Sequence, residues 1–247
     1  MSCAGPLAGE LRKSSSLSGL RRTIWIGALG VLVVTSFAVI QTARFTALGR
    51  AGETGGTRVG DWPMFVLNMG QVVPVLIGAW VFGQDDGTGP RRLALLAVPG
   101  RRTLAAAKTT TVVLLCAAAA VLCACAAVLP LLLAGGGGPP GASDPPSPDR
   151  FCWLAAYWVL IGVVSASVTA AARSMVAAIV PVLAWTLGVS SLLTQRIHVL
   201  GGALDQVFRS AYLDGTTPTV VKLVSAALQV VVIVSVCLAV YVRRDAD

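Results

Sequence analysis

Charge is what this sequence has least of. Only 12% of its 247 residues are Asp, Glu, Lys or Arg, whereas a soluble domain carries roughly 25%. So few charges do not solvate the surface of a globule of this size, which argues against a soluble protein. Hydrophobic residues make up 55% of the chain, in runs much longer than the ~10-residue strands of an outer-membrane barrel. The composition therefore predicts an all-α integral membrane protein.

Catalytic and metal-binding groups are also scarce. The chain has one histidine, His198, and no acidic residue lies in any predicted membrane span. The motifs HExxH, GxSxG, CxxC and Walker A do not occur. Hydrolases, metalloenzymes and proton-driven carriers need such groups, so we expect no catalytic residue, metal site or cofactor here. An intramembrane enzyme using His198 or Asp205 is the disfavoured hypothesis. We interpret the six cysteines as apolar packing residues.

Six apolar runs reach the ~20 residues that a helix needs to cross the hydrocarbon core. The predicted spans are residues 23–44, 64–82, 104–134, 151–172, 175–193 and 219–242. Together they form a single transmembrane domain over residues 1–247. The third span is longer than a bilayer requires, so we expect it to tilt or to extend beyond the membrane.

The distribution of lysine and arginine predicts the orientation. With the N-terminus inside, twelve of the 19 basic residues lie in cytoplasmic segments and seven in outer ones, which places both termini in the cytoplasm. These charges lie at the ends of apolar runs, where they meet membrane lipids, so the net charge of +8 does not indicate nucleic-acid binding. Residues 194–217 are too polar to span and are predicted to form an outer re-entrant or interfacial segment. Aromatic residues expected at the outer interface are Trp62, Phe151, Trp153, Tyr157 and Trp158.

Polar residues within the spans are few. Asn68 and Gln71 are three residues apart on one face of the second span, and Gln229 lies in the sixth. Two interpretations stay open for them: interhelical hydrogen bonds, or the lining of a translocation path. The fourth span carries a stripe of small residues that is typical of close helix packing, formed by Gly162, Ala166 and Ala170.

A polar segment, residues 84–108, joins the second and third spans on the predicted cytoplasmic side. Its first part is Asp85-Asp86 followed by Gly87-Thr88, and its middle part reads as a short helix between two prolines, Pro90 and Pro99. Its basic residues are Arg91, Arg92, Arg101, Arg102 and Lys108. The positive-inside rule explains the arginines, but not the acidic pair, the Gly-Thr or the proline-bounded helix. We therefore predict that this segment docks on a partner.

At these residues the sequence resembles the membrane subunits of ABC-2 type ABC transporters. Many of those subunits carry an acidic residue, Gly-Thr, a Leu-Leu helix, Pro, Arg and a downstream Lys between spans two and three. The matching residues here are Asp85, Asp86, Gly87, Thr88, Leu95, Leu96, Pro99, Arg101, Arg102 and Lys108. Residues 10–13 similarly resemble the amphipathic entry segment of that family. The chain departs from the family where Gly89-Pro90 interrupts the helix and where an Asp pair replaces the common Glu.

The resemblance implies a six-helix, type V exporter-like half-transporter in the plasma (inner) membrane. Two permease subunits, identical or homologous, would dock on two separate ABC ATP-binding subunits, and those partners would bind the ATP. The implied function is export of an apolar or amphipathic substrate such as a drug, antibiotic, lipid or peptide. The implied ATPase-coupling residues are Asp85, Asp86, Gly87, Thr88, Arg91, Arg92, Pro99, Arg101, Arg102 and Lys108. The alternative is a non-transporting membrane scaffold or immunity protein that binds a cytoplasmic partner.

Overall fold

The computed structural model describes residues 8–9, 12, 18–47, 62–84, 101–133, 147–186 and 220–244. All the regular secondary structure within these ranges is helical. Its longer helices are α1 (Ser18–Ala47), α2 (Trp62–Met69), α3 (Val72–Gly83), α4 (Arg101–Leu133), α5 (Pro148–Ala172), α6 (Met175–Ala184) and α7 (Val220–Arg244).

Four stretches of the described chain are long and apolar enough to cross a membrane. They are Ser18–Thr42, Trp62–Gly83, Thr103–Leu133 and Pro148–Ala172. These correspond to the first four predicted spans and confirm the all-helical, membrane-type fold class. At the fifth and sixth predicted spans, the described residues contain two shorter apolar helical stretches, Met175–Ala184 and Ala227–Cys237.

The second span is two helices rather than the single continuous one that the sequence suggested. A turn at Gly70 and Gln71 separates α2 from α3. Pro74 explains the turn, because it has no N–H to donate to the carbonyl of Gly70 and its ring crowds that carbonyl. The Val73 N–H, one residue earlier, bonds to the Gly70 carbonyl instead, at 3.0 Å. Such i to i+3 bonding tightens the backbone into a 3₁₀-like turn.

The third span agrees with its predicted excess length. Helix α4 has 33 residues and is therefore about 50 Å long, whereas the hydrocarbon core is only about 30 Å thick. The second turn of α4 lies close to the end of α3, as the contact between Lys108 and Phe82 shows. The end of α3 and the start of α4 therefore lie at the same end of the bundle.

Helix α5 is the centre of the bundle. It packs against α3, α4, α6 and α7, whereas α1 packs against α2, α3 and α4. The contact between α3 and α5 is close because glycines face each other: a Cβ at Gly78 would collide with the Gly162 carbonyl oxygen and lie 3.0 Å from the Ala166 nitrogen. Ser165 Oγ also donates a 2.7 Å hydrogen bond to the Val75 carbonyl. The small-residue stripe of the fourth span is thus a packing surface, as predicted.

Two aromatic residues of α5 lie inside the bundle. Tyr157 and Trp158, which the sequence places near the outer interface, are both fully buried among the helices. The small stripe explains this, because Trp158 precedes Gly162 by one helical turn and so lies on the face that packs against the second span. Trp62, by contrast, is partly exposed and donates a 3.1 Å hydrogen bond to Thr42 Oγ1.

Candidate functional site

The break in the second span brings a small polar cluster together inside the bundle. Asn68 precedes the break, and Gln71 lies in it; both side chains are buried. Gln71 Nε2 donates a hydrogen bond to Asn68 Oδ1. Tyr157 of α5 donates a longer one, 3.5 Å, to Gln71 Oε1. The shared face predicted for Asn68 and Gln71 is therefore confirmed, and the Tyr157 hydroxyl is an addition that sequence reasoning missed.

Trp158 borders this cluster. Its ring packs against the break so closely that a Cβ at Gly70 would lie 3.2 Å from Trp158 Cζ2. Its Nε1 is buried and has no hydrogen-bond acceptor among the described residues. A buried N–H without an acceptor costs about 1–3 kcal/mol, so this position is energetically demanding. The spacing of four residues that joins Trp158 to Gly162 and Ala166 was the sequence signal for its burial.

Gln229 is separate from Asn68 and Gln71 in its contacts. It lies in α7, which packs against α5, and its side chain is only partly buried. Within the described part of the chain it makes no hydrogen bond to Asn68 or Gln71. The structure thus joins two of the three candidate path residues and adds the aromatic pair of α5.

Most of the predicted coupling segment lies outside the described residues. This applies to Asp85, Asp86, Gly87, Thr88, Arg91, Arg92 and Pro99, and also to the outer segment 194–217. Arg101 and Arg102 are described only as the first backbone positions of α4. What the structure does describe is the pair of helix ends from which the segment emerges, the end of α3 and the start of α4.

Lys108, in the second turn of α4, lies against Phe82 in the last turn of α3. Its side chain is only 4% exposed, and its Nζ lies 5.3 Å from the centroid of the Phe82 ring. A cation over an aromatic face is stabilised by about 0.5–2 kcal/mol, more when it is removed from water. Lys108 is therefore enclosed at the junction of α3 and α4. Its side chain stabilises the contact between the two helices that flank residues 85–100.

Two further parts of the chain meet at the same end of the bundle. Gly19, in the first turn of α1, contacts the Trp80 ring closely. The turn between α5 and α6 lies beside Gly83, since a Cβ there would be 3.3 Å from Met175 Cβ. Arg173 makes this turn possible by adopting a left-handed conformation, φ 53°, after which Ser174 Oγ accepts a 3.3 Å bond from the Ala177 N–H.

The junction end of the bundle is therefore formed by the start of α1, the end of α3, the start of α4 and the α5–α6 turn. They belong to three of the segments that the positive-inside rule assigned to the cytoplasm: the one before α1, the one between α3 and α4, and the α5–α6 turn. Their arrangement at one end follows from alternating helix directions in the first four spans.

One cysteine of the third span, Cys116, packs against a glycine of α5. A Cβ at Gly162 would collide with Cys116 Sγ, so the thiol occupies the space that the glycine leaves open. Cys116 and Cys123 are free and buried in the core. Among the described residues, no three His, Cys, Asp or Glu side chains lie close enough to hold a metal ion.

No protein-family model matches this sequence, and neither the curated proteins nor the solved structures give a match.

Proposed function

We propose that this chain is the permease subunit of an ATP-driven exporter of the ABC-2 type. It is a six-span half-transporter of the plasma membrane with both termini in the cytoplasm, and it pairs with a second permease subunit. Two ATP-binding subunits supply the energy, so the permease holds no nucleotide and no catalytic group of its own. The substrate is an apolar or amphipathic molecule such as a drug, an antibiotic, a lipid or a peptide.

The observation that best supports this proposal is the junction of α3 and α4. Lys108 over Phe82 holds together the two helices from which residues 85–100 emerge, and the α5–α6 turn lies beside them at Gly83. Force applied to the segment by a docked partner would therefore reach α3, α4 and α5 together. Since α3 contacts α5 at Gly78 and Gly162, movement at the junction would be transmitted as rigid-body rocking of this pair.

Within this proposal, Asn68 and Gln71 are the polar part of the translocation path, and Gln229 is a third member. The burial of Asn68 and Gln71 corresponds to a closed path. The path opens when α3 and α5 of one subunit move relative to α3 and α5 of the other. The break at Gly70 and Gln71 supports this role, because discontinuous helices carry the binding sites of many transporters.

Co-purification with the ATP-binding subunit that the proposal requires, sought in the reading frames beside this one, tests the proposal. We expect a complex with the wild-type chain and its loss when Arg91, Arg92, Arg101 and Arg102 are all replaced by Gln. The matched control replaces four arginines assigned to the outer side, Arg44, Arg50, Arg58 and Arg150, by Gln and should keep the complex. The proposal fails if no complex forms, or if both sets of substitutions weaken it equally.

A non-transporting scaffold or immunity protein is the second candidate. The observation in its favour is that Asn68 and Gln71 are buried within a single chain and line no open path there. Such a protein would use the same segment to bind its partner but would move no substrate. Vesicles that contain the chain and its ATPase separate the two candidates. ATP-dependent accumulation of a substrate supports the permease, whereas a stable complex without any such transport supports the scaffold.

A further inference from the structure

An open groove of about 500 Å³ runs between α1 and the broken second span. Its floor forms where Gly27 allows close approach of α1 and α3, since a Cβ there would lie 2.5 Å from Val73 Cγ2. Its walls include Ile26 and Val34 on α1 and Phe65 and Met69 on the opposite side, all at least 48% exposed. Because α1 and the second span are both candidate membrane spans, a groove on their exposed side would face lipid.

The side chains that line the groove are either apolar or already hydrogen-bonded within the chain. Its two polar side chains are Thr23 and Trp62, and both are already hydrogen-bonded. Thr23 Oγ1 donates to the Gly19 carbonyl at 3.0 Å, and Trp62 Nε1 donates to Thr42 Oγ1 at 3.1 Å. No lining side chain therefore needs a polar ligand, and the groove is suited to a hydrocarbon chain.

The length of the groove fits one leaflet of a bilayer. On α1 the lining residues extend from Thr23 to Val34, which is about 16 Å along a helix that rises 1.5 Å per residue. Half of a ~30 Å hydrocarbon core is about 15 Å, the depth that one acyl chain fills. The groove is thus long enough for one acyl chain.

Positive charge lies at one end of the groove. Arg21 and Arg22 are exposed and directly precede Thr23, with Arg22 one helical turn before Ile26. The described residues of α1, α2 and α3 include no Asp or Glu; Asp85 and Asp86 follow Gln84 outside the described residues. Guanidinium groups bind phosphate oxygens in bidentate geometry, and basic residues at this depth meet lipid headgroups.

We propose that this groove binds an anionic phospholipid of the leaflet that surrounds the start of α1. One acyl chain lies in the groove over Gly27 and Gly30, and the phosphate headgroup pairs with Arg21 and Arg22. The site belongs to the single chain and is independent of the proposed ATPase partner, so its test and the test of transport function fail separately.

Native mass spectrometry of the purified chain tests this site. The chain is reconstituted in bilayers of equal parts phosphatidylglycerol and phosphatidylcholine and then extracted. We expect retention of phosphatidylglycerol over phosphatidylcholine, with the preference falling about fivefold for each of Arg21→Gln and Arg22→Gln. Arg44→Gln at the opposite end of α1, where the side chain is also exposed, should leave the preference unchanged.

A second variant fills the groove. Gly30 lines the groove and an added Cβ there would meet nothing within 4 Å, so Gly30→Phe is the substitution chosen to occupy it. We expect it to abolish lipid retention, whereas Val33→Phe, at an exposed α1 position outside the groove, should not.

Equal retention of the two lipids by the wild-type chain would overturn the proposal, as would equal loss in Gly30→Phe and Val33→Phe. A wild-type dimer that Gly30→Phe dissociates would show that a second copy of the chain covers the groove instead. Should Gly30→Phe not fold, unchanged phosphatidylglycerol preference in Arg21→Gln and Arg22→Gln overturns the proposal by itself.

Discussion

At the scale of single residues, Gly78 and Gly30 differ in what an added methyl group would meet. At Gly78 it would collide with the Gly162 carbonyl, whereas at Gly30 nothing lies within 4 Å. We therefore expect Gly78→Ala to lower the free energy of unfolding by about 1–3 kcal/mol, because α3 and α5 must separate. Gly30→Ala should be neutral or stabilising by up to about 1 kcal/mol through helix propensity. Unfolding of both variants in detergent measures the difference, and equal stabilities would contradict the described helix contact.

Asn68 and Gln71 should depend on each other energetically. Their buried hydrogen bond predicts a coupling energy of about 0.6–2 kcal/mol in a double-mutant cycle of Asn68→Ala and Gln71→Ala. The matched cycle of Gln71→Ala with Gln229→Ala should give a coupling near zero, since these two side chains share no hydrogen bond. Additive losses in the first cycle would show that the two amides act independently.

At the scale of elements, Pro74 is the residue that divides the second span. In Pro74→Ala the new N–H can donate to the Gly70 carbonyl, so α2 and α3 should join into one helix. Hydrogen exchange of the peptide covering residues 68–76 should become slower. Pro63→Ala is the control, because position 63 lies in the first turn of α2, where an N–H has no intrahelical acceptor. Unchanged exchange in Pro74→Ala would mean that another interaction causes the break.

How much of these elements the sequence predicts depends on how local the cause is. Hydrophobic length alone gave the first four spans and the excess length of α4. The helix break depends on one proline and was visible in principle, because Pro74 and Gly70 are four residues apart. The burial of Trp158 depends on which face of α5 packs against α3. That face is decided by tertiary packing, and the small-residue stripe was its only sequence signal.

The polar cluster of Asn68, Gln71 and Tyr157 was likewise predictable only in part. The i, i+3 spacing predicted that Asn68 and Gln71 share a face, and they are hydrogen-bonded. Tyr157 could not be assigned to them, because it is 86 residues away in sequence and reaches them only through the packing of α5. The roles of the residues between α3 and α4 stay predictions, since they rest on a sequence motif.

At the scale of the whole molecule, four segments meet at one end of the bundle, and Lys108 is the charged residue buried there. Lys108→Met keeps the apolar stem but removes the cation over Phe82, so we expect the ends of α3 and α4 to separate more readily. A cysteine at position 84, in a chain without its native cysteines, should then react faster with a maleimide. Lys108→Arg should restore slow labelling, and equal rates in all three chains would exclude a role for the cation.

The central claim is that residues 84–108 transmit energy from an ATP-binding partner. Photo-crosslinking in intact membranes tests it most directly, with a benzophenone amino acid placed at Leu96 in the segment and, as control, at Ser143 in the connector between α4 and α5. The claim predicts a crosslink to the ATPase from position 96 whose yield changes when ATP is added, and none from position 143. No crosslink from position 96, or equal crosslinks from both positions, would contradict it.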